Sequence, residues 1–135
     1  YQSGQVITTA VLAARMASGD ALLIDARSRE RFRGDVEPLD PVAGHIPGAK
    51  NRPFADNLNA GVGFKTALQL RLEFERLLGG KSPADTILMC GSGVTACHNL
   101  LAMTHAGLPG ARVYAGSWSE WCSDRSRPVE RGDAT

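Results

Sequence analysis

Short apolar runs alternate with amphipathic stretches along this chain, and this alternation constrains the fold more than any other feature of the sequence. Buried strands are predicted at residues 21–25, 86–90 and 111–116. Helices are predicted at residues 8–19, 66–80 and 94–107. Strands that alternate with helices are joined by right-handed crossovers and form a mainly parallel sheet covered on both faces. The sequence therefore predicts a single α/β domain over residues 1–135.

The helix predicted at residues 66–80 has the strongest pattern. Thr66 and Gln69 form a candidate capping box at its start, and Gly79 is placed to end it. One apolar stripe runs along the segment: Leu70, Phe74, Leu77 and Leu78. This stripe is expected to pack on the sheet.

Charge and cysteine content exclude several classes of protein. The chain has 15 basic and 14 acidic residues, so its net charge of +1 favours neither nucleic acid nor membrane as a partner. No apolar run approaches the ~20 residues of a spanning helix, and the first residues do not resemble a signal peptide. Cys90, Cys97 and Cys122 are too sparse for a disulfide framework, so free thiols and a cytoplasmic location are expected. The three histidines have no ligand spacing with the cysteines, so no metal centre is expected.

The segment "MCGSGVTACHN" (89–99) carries the clearest chemical signal. Cys90 ends a predicted buried strand, where ligands bind in open α/β sheets. Gly91 and Gly93 allow successive N–H groups to point inward, and the following helix adds its positive end. Both effects favour thiolate and lower the pKa of the thiol below ~8.5. Ser92 and Thr95 add hydroxyl donors, so the loop predicts a nucleophilic sulfur.

Two other interpretations apply to cysteines in such a segment. A free cysteine at a strand end is usually a small buried hydrophobe. Cys97 fits that description, because it shares a helical face with apolar residues. A cysteine phosphatase needs an arginine six residues after the nucleophile to bind the phosphoryl oxygens, and Ala96 stands there. Transfer of a single sulfur atom suits the neutral loop better than phosphate-ester hydrolysis.

Four motifs in order resemble the rhodanese-like sulfurtransferases. They are "LIDARSRERFRG" (23–34), "GHIPGAKNRPF" (44–54), "CGSGVTA" (90–96) and "YAGSWSEW" (114–121). They are most similar to the second, catalytic domain of two-domain thiosulfate and 3-mercaptopyruvate sulfurtransferases. The resemblance implies a three-layer fold around a mainly parallel five-stranded sheet. It also implies a ping-pong reaction in which Cys90 takes sulfur from a donor as a persulfide.

The resemblance further implies roles for individual residues. Ser92 matches a serine that assists proton transfer, and Arg31 matches an arginine that grips the carboxylate or sulfonate of the donor. The substrate-binding loop positions are Gly91, Gly93, Val94 and Thr95. The pair Gly91-Ser92 favours 3-mercaptopyruvate, but Asp40 stands where such enzymes carry a second arginine, so thiosulfate stays open.

Other motif residues are expected to be structural. Asp25 and Arg27 would tie neighbouring loops to a strand end, and His45 would brace its loop through a hydrogen bond, with a general-acid role as the alternative. Trp118 and Trp121 are expected to pack in the core or at an interface.

The resemblance also implies partners and chain organisation. Cyanide, a thiol or thioredoxin would accept the sulfur, and neither a metal nor an organic cofactor is needed. In the two-domain proteins an inactive first domain precedes this one, so the chain is expected to be an excised catalytic half. An exposed apolar patch on the loop side and self-association or weak activity would follow. The alternative is a binding or sulfur-relay module without turnover.

Overall fold

The computed structural model describes residues 6–19, 21–37, 42–58, 65–89, 96–108, 110–114, 116–124 and 126–132. In this part of the chain the strands are β1 (Val6–Ile7), β2 (Leu22–Asp25), β3 (Lys50–Asn51), β4 (Thr86–Met89) and β5 (Arg112–Tyr114). The α-helices are α1 (Thr9–Ser18), α2 (Arg29–Arg33), α3 (Ala67–Leu78), α4 (Ala96–His105) and α5 (Ser117–Ser123). Short 3₁₀ turns lie at Phe54–Asn57 and Pro83–Asp85. None of the helices described is both long and apolar enough to cross a membrane.

The strands form one five-stranded sheet in the order β1-β5-β4-β2-β3, and each neighbouring pair is parallel. The predicted parallel α/β architecture is therefore confirmed. Asp25 at the end of β2 pairs with Asn51 on one side and with Met89 on the other. These three residues form one row across the sheet, so the carboxyl ends of β2, β3 and β4 meet at the same edge.

Helices cover both faces of the sheet. On one face, the stripe of α3 packs with α4, and its buried members are Leu70, Phe74 and Leu78. Leu77 is only partly buried, at the margin of this core. On the other face, Leu12 of α1, Phe32 of α2 and Trp118 of α5 form the second core. The two apolar layers explain why β2 and β4 are buried along their whole length.

Local signals set the ends of α1 and α3. The Thr8 side chain accepts a hydrogen bond from the Val11 N–H at the start of α1, and left-handed Gly19 ends it. The Thr66 side chain accepts from the Gln69 N–H at the start of α3, and left-handed Gly79 ends that helix. The predicted helices at 8–19 and 66–80 are confirmed. The helix predicted at 94–107 is confirmed over the described residues, as α4.

Candidate active site

The candidate site lies at the carboxyl edge of the sheet, where β2 and β4 end side by side. The Ala26 N–H donates to the Met89 carbonyl oxygen over 2.7 Å. The backbone after β2 therefore remains hydrogen-bonded to the end of β4 for one residue beyond the Asp25–Met89 pair. Cys90 follows Met89 in the sequence. The predicted site residues Cys90, Gly91, Ser92, Gly93, Val94 and Thr95 lie outside the described residues, as does Asp40.

Asp25 and Arg27 form a buried ion pair at the end of β2. Arg27 Nη2 lies 2.8 Å from Asp25 Oδ2, and Nε donates to the same carboxylate at 3.0 Å. Their side chains are 0% and 1% exposed. Arg27 Nη2 also donates to the Gly44 carbonyl oxygen over 2.7 Å, and the guanidinium lies 4.8 Å from the centre of the Trp118 ring. The expectation that this pair ties a strand end to a neighbouring loop is confirmed.

Arg31 joins the same cluster through Glu37. Arg31 Nη2 donates to Glu37 Oε2 over 3.1 Å, and the other Glu37 oxygen lies 3.5 Å from Arg27 Nη1. The Glu37 side chain is 6% exposed, whereas that of Arg31 is 18% exposed. The structure therefore brings Arg31 to the edge where β2 ends. Two guanidinium groups and the two carboxylates of Asp25 and Glu37 balance in formal charge.

His45 braces the loop before β3 and is fully buried. Its ring stacks on Phe32 with a centroid distance of 3.8 Å. Nδ1 lies 2.7 Å from the Phe32 carbonyl oxygen, and Nε2 lies 3.2 Å from Glu130 Oε1. The backbones of His45 and Glu130 also pair, each N–H donating to the other's carbonyl over 2.8 Å. The predicted loop-bracing role is confirmed.

A buried polar cluster at the start of α4 was not predicted from the sequence. Asn57 Nδ2 donates to Asn99 Oδ1 over 2.6 Å and lies 3.2 Å from His98 Nδ1. Asn99 in turn donates to the Arg52 carbonyl oxygen over 3.1 Å. Both asparagines are fully buried, and burial lowers the pKa of His98. The cluster fixes the first turn of α4, the helix that follows residues 90–95, to the segment after β3.

A second unpredicted group lies at the end of β5. The Tyr114 hydroxyl is 2.6 Å from Thr9 Oγ1 and donates to Glu120 Oε2 over 3.4 Å, and Thr9 also donates to that carboxylate. Burial raises the pKa of Tyr114. Tyr114 and Glu120 both belong to the segment 114–121, whereas Thr9 lies 105 residues before Tyr114 and has no spacing motif with them.

The two tryptophans of α5 pack in the core, which was one of the two expected roles. Trp118 is fully buried and Trp121 is 2% exposed. The indole N–H of Trp118 donates to the Val42 carbonyl oxygen, and that of Trp121 donates to the Pro128 carbonyl oxygen. Cys122, whose position in the sequence indicates no role, is also buried in this core.

Comparison with known proteins places this geometry in a family. Residues 8–124 match the family model described as "Rhodanese-like domain". A Pseudomonas aeruginosa protein named "Probable 3-mercaptopyruvate sulfurtransferase" is 52% identical over 128 residues, which are 95% of this chain and 45% of that protein. The human "3-mercaptopyruvate sulfurtransferase" is 41% identical over 111 residues, 80% of this chain and 36% of that protein. The chain thus spans less than half the length of both relatives.

A solved structure agrees with these matches. The crystal structure of the Tum1 protein from Saccharomyces cerevisiae superposes with a TM-score of 0.81 at 29% identity, over 97% of this chain and 48% of that one. The family expected from the four motifs is therefore confirmed. The chain belongs to the rhodanese-like domain family.

Proposed function

We propose that this chain is the catalytic domain of a sulfurtransferase that carries sulfur as a persulfide on Cys90. One observation supports the proposal above all. Asp25 pairs with Met89, so the residue after Met89 follows a strand that ends beside the Arg27–Arg31 charge cluster. A nucleophile and a candidate anion-binding arginine thus belong to neighbouring strand ends, where α/β folds bind their ligands. The names of the Pseudomonas aeruginosa and human relatives agree with this chemistry.

The proposed reaction has two balanced steps. The Cys90 thiolate attacks the transferable sulfur of the donor, and a sulfur–sulfur bond forms on the enzyme. With 3-mercaptopyruvate a carbon–sulfur bond breaks, and the leaving enolate takes a proton to become pyruvate. With thiosulfate a sulfur–sulfur bond breaks and sulfite leaves. Cyanide or an acceptor thiolate then attacks the outer sulfur, and Cys90 is released as thiolate.

The proposed donor contacts follow the motif. Arg31 binds the donor carboxylate or sulfonate, and Ser92 assists proton transfer. The backbone of Gly91, Gly93, Val94 and Thr95 surrounds the sulfur. Because Asp40 adds a carboxylate where a second arginine is usual, both 3-mercaptopyruvate and thiosulfate stay in the proposal as donors.

The proposal includes a missing partner domain. The relatives are more than twice as long as the part that this chain matches. Among the described residues the most exposed large hydrophobic side chains lie on α3 and α4: Leu68 at 69%, Leu72 at 59% and Leu101 at 57%. Leu68 and Leu72 lie one helical turn apart on the same face of α3. We propose that a preceding rhodanese-like domain covers exposed apolar surface of this chain, and that the whole protein lies in the cytoplasm, where thiols stay reduced.

Steady-state turnover tests this function. Wild type is assayed with each donor and with cyanide as acceptor, by thiocyanate formation. Arg31→Lys keeps the charge but loses the planar fork that binds a carboxylate with two hydrogen bonds, so KM for 3-mercaptopyruvate should rise roughly tenfold. Arg33→Lys is the matched control, because Arg33 pairs with Asp35 and is 40% exposed. Absence of Cys90-dependent turnover with either donor, also with a preceding domain restored, would overturn the proposal.

A further inference from the structure

A charged cleft of about 260 Å³ lies between the edge strand β3 and helix α3. Its charged lining residues are Arg29, Lys50, Arg52, Asp56, Glu73 and Arg76. Four cations therefore face two carboxylates. The cleft is separate from the Asp25–Arg27–Arg31–Glu37 cluster, in which positive and negative charges balance.

Both carboxylates of the cleft are already engaged. Arg29 Nη2 lies 2.9 Å from Asp56 Oδ2. Glu73 is shared by Arg52 Nη1 at 2.8 Å and Lys65 Nζ at 3.2 Å. One carboxylate thus serves two cations, so the pairs leave a positive excess in the cleft.

Two further cations have no carboxylate partner in the described part of the chain. Lys50 Nζ donates to the carbonyl oxygen of Leu77 over 3.0 Å, and no carboxylate of the described residues pairs with it. Arg76 is exposed and makes no hydrogen bond or ion pair with a described residue. The cleft therefore offers an anion two positive groups that no carboxylate of the described residues neutralises.

The cleft lies close to the end of β4, which Cys90 follows in the sequence. Asn51 and Met89 both pair with Asp25, so they are two strand spacings apart, about 10 Å. Arg52 follows Asn51, and its N–H donates to the Asp25 carbonyl oxygen over 2.9 Å. An extended peptide covers about 10 Å with three residues. One short segment can therefore reach both the cleft and the residue after Met89.

We propose that this cleft binds an acidic segment of the protein that accepts the sulfur, with glutamate or aspartate three or four residues from the acceptor cysteine. The inference rests on the proposed sulfurtransferase function and names the partner chemistry for its second step. The bound segment presents its thiolate to the outer sulfur of the Cys90 persulfide. The sulfur–sulfur bond breaks, the acceptor leaves as a persulfide and Cys90 is released as thiolate.

The test uses synthetic peptide acceptors that differ only in charge. One peptide has a cysteine with glutamates three and four residues away, and the other has glutamines at those positions. At low ionic strength, kcat/KM should be roughly fivefold higher for the glutamate peptide, because opposite charges speed the encounter. The preference should shrink in roughly 0.5 M salt, where the screening length is only a few ångströms.

Two charge reversals on the same helix provide the variant and its control. Arg76→Glu should remove the preference, whereas Arg71→Glu should keep it, because Arg71 pairs with Glu75 and does not line the cleft. Turnover with a small neutral thiol should stay unchanged in both variants. Equal use of the two peptides by wild type, or equal loss in both variants, would overturn the docking proposal.

A binding measurement separates this proposal from the proposed enzymatic function. Fluorescent versions of both peptides with serine in place of cysteine are titrated into Cys90→Ser protein, and anisotropy is read. Tighter binding of the glutamate peptide, weakened by Arg76→Glu, supports the cleft even if no turnover is found. Absence of turnover with the neutral thiol would count against the sulfurtransferase function alone. Equal binding of both peptides would count against the cleft.

Discussion

The Asp25–Arg27 ion pair shows how tightly single residues are constrained at the carboxyl edge. The Arg27 guanidinium is almost fully buried, donates to one carboxylate through both Nε and Nη2, and donates to a carbonyl oxygen through Nη2. Removing Asp25 would leave the buried Arg27 guanidinium with the Glu37 carboxylate, 3.5 Å away, as its remaining described partner of opposite charge, and such a loss costs more than the pair itself contributes.

Asp25→Ala should therefore lower the free energy of unfolding by about 3 kcal/mol, measured by urea denaturation at neutral pH. Glu75→Ala is the control, because it breaks an ion pair whose two side chains are each 50% exposed. That change should cost less than about 0.5 kcal/mol. If the two variants lost the same stability, the buried pair would not have the structural role described for it.

His98 should make stability depend on pH. Burial lowers the pKa of His98 in the folded protein, so the unfolded chain binds the proton first as pH falls. Stability from this group is complete above the unfolded value of ~6.5 and is lost as pH falls toward the folded pKa. Urea midpoints measured from about pH 7.5 down to about pH 5 should fall more steeply for wild type than for His98→Asn.

In wild type, His98 Nδ1 accepts a hydrogen bond from Asn57 Nδ2. In His98→Asn the side-chain oxygen can accept the same hydrogen bond, but the asparagine cannot bind a proton in this pH range. His105→Gln, on the exposed end of the same helix, is the matched control and should behave as wild type. A pH slope that is identical in wild type and His98→Asn would contradict this assignment.

Some site residues could be predicted from the sequence and others could not. Asp25, Arg27 and His45 belong to recognisable motifs, and their bracing roles are confirmed by their hydrogen bonds. Asn57 and Asn99 are 42 residues apart. Two asparagines so far apart form no sequence motif, so their contact becomes visible only in the folded chain. The roles of Cys90 and Ser92 stay predictions, since these residues lie outside the described part.

Helices and strands with long sequence patterns could be predicted, whereas short ones could not. Helices α1 and α3 have apolar stripes, threonine caps and terminal glycines, so the sequence predicted both of them. β1 contains two residues and is placed only by its pairing with β5, so no local period identifies it. The sequence does not predict α5, because Trp118 and Trp121 indicate only packing, whereas in the structure they anchor a helix in the core.

The pairing of the loop before β3 with the C-terminal segment can be tested at Gly44. This glycine has φ of +120°, and a Cβ there would lie 2.5 Å from the Glu130 carbonyl oxygen. Gly44→Ala should lower the free energy of unfolding by more than about 2 kcal/mol, because the clash adds to backbone strain. Limited proteolysis should also cut the segment around Glu130 faster.

Gly80→Ala is the control that introduces backbone strain without a steric clash. Gly80 has φ of +93°, and no atom lies within 4 Å of the position that a Cβ would take, so only strain of about 1 kcal/mol is expected. Equal destabilisation by the two variants would mean that the bridge between His45 and Glu130 contributes little.

On the scale of the whole molecule, the exposed leucines of α3 and α4 predict self-association of the isolated chain. Leu68 and Leu72 are the two most exposed large hydrophobic residues of the described part. The double change Leu68→Glu with Leu72→Glu should reduce the dimer fraction in sedimentation velocity, because two charges replace the apolar face. The matched control is Val36→Glu, since Val36 is 50% exposed but lies outside α3. A monomeric wild type at high concentration would contradict the prediction.

Cys90 is proposed to carry the sulfur, and intact mass spectrometry can detect that sulfur on the protein. Wild type, Cys90→Ser and Cys122→Ser are incubated with 3-mercaptopyruvate and, separately, with thiosulfate. We expect a gain of one sulfur, ~32 Da, in wild type and Cys122→Ser, absent from Cys90→Ser and reversed by cyanide. The better donor would decide between 3-mercaptopyruvate and thiosulfate. A sulfur gain that persists in Cys90→Ser would contradict the proposed role of Cys90.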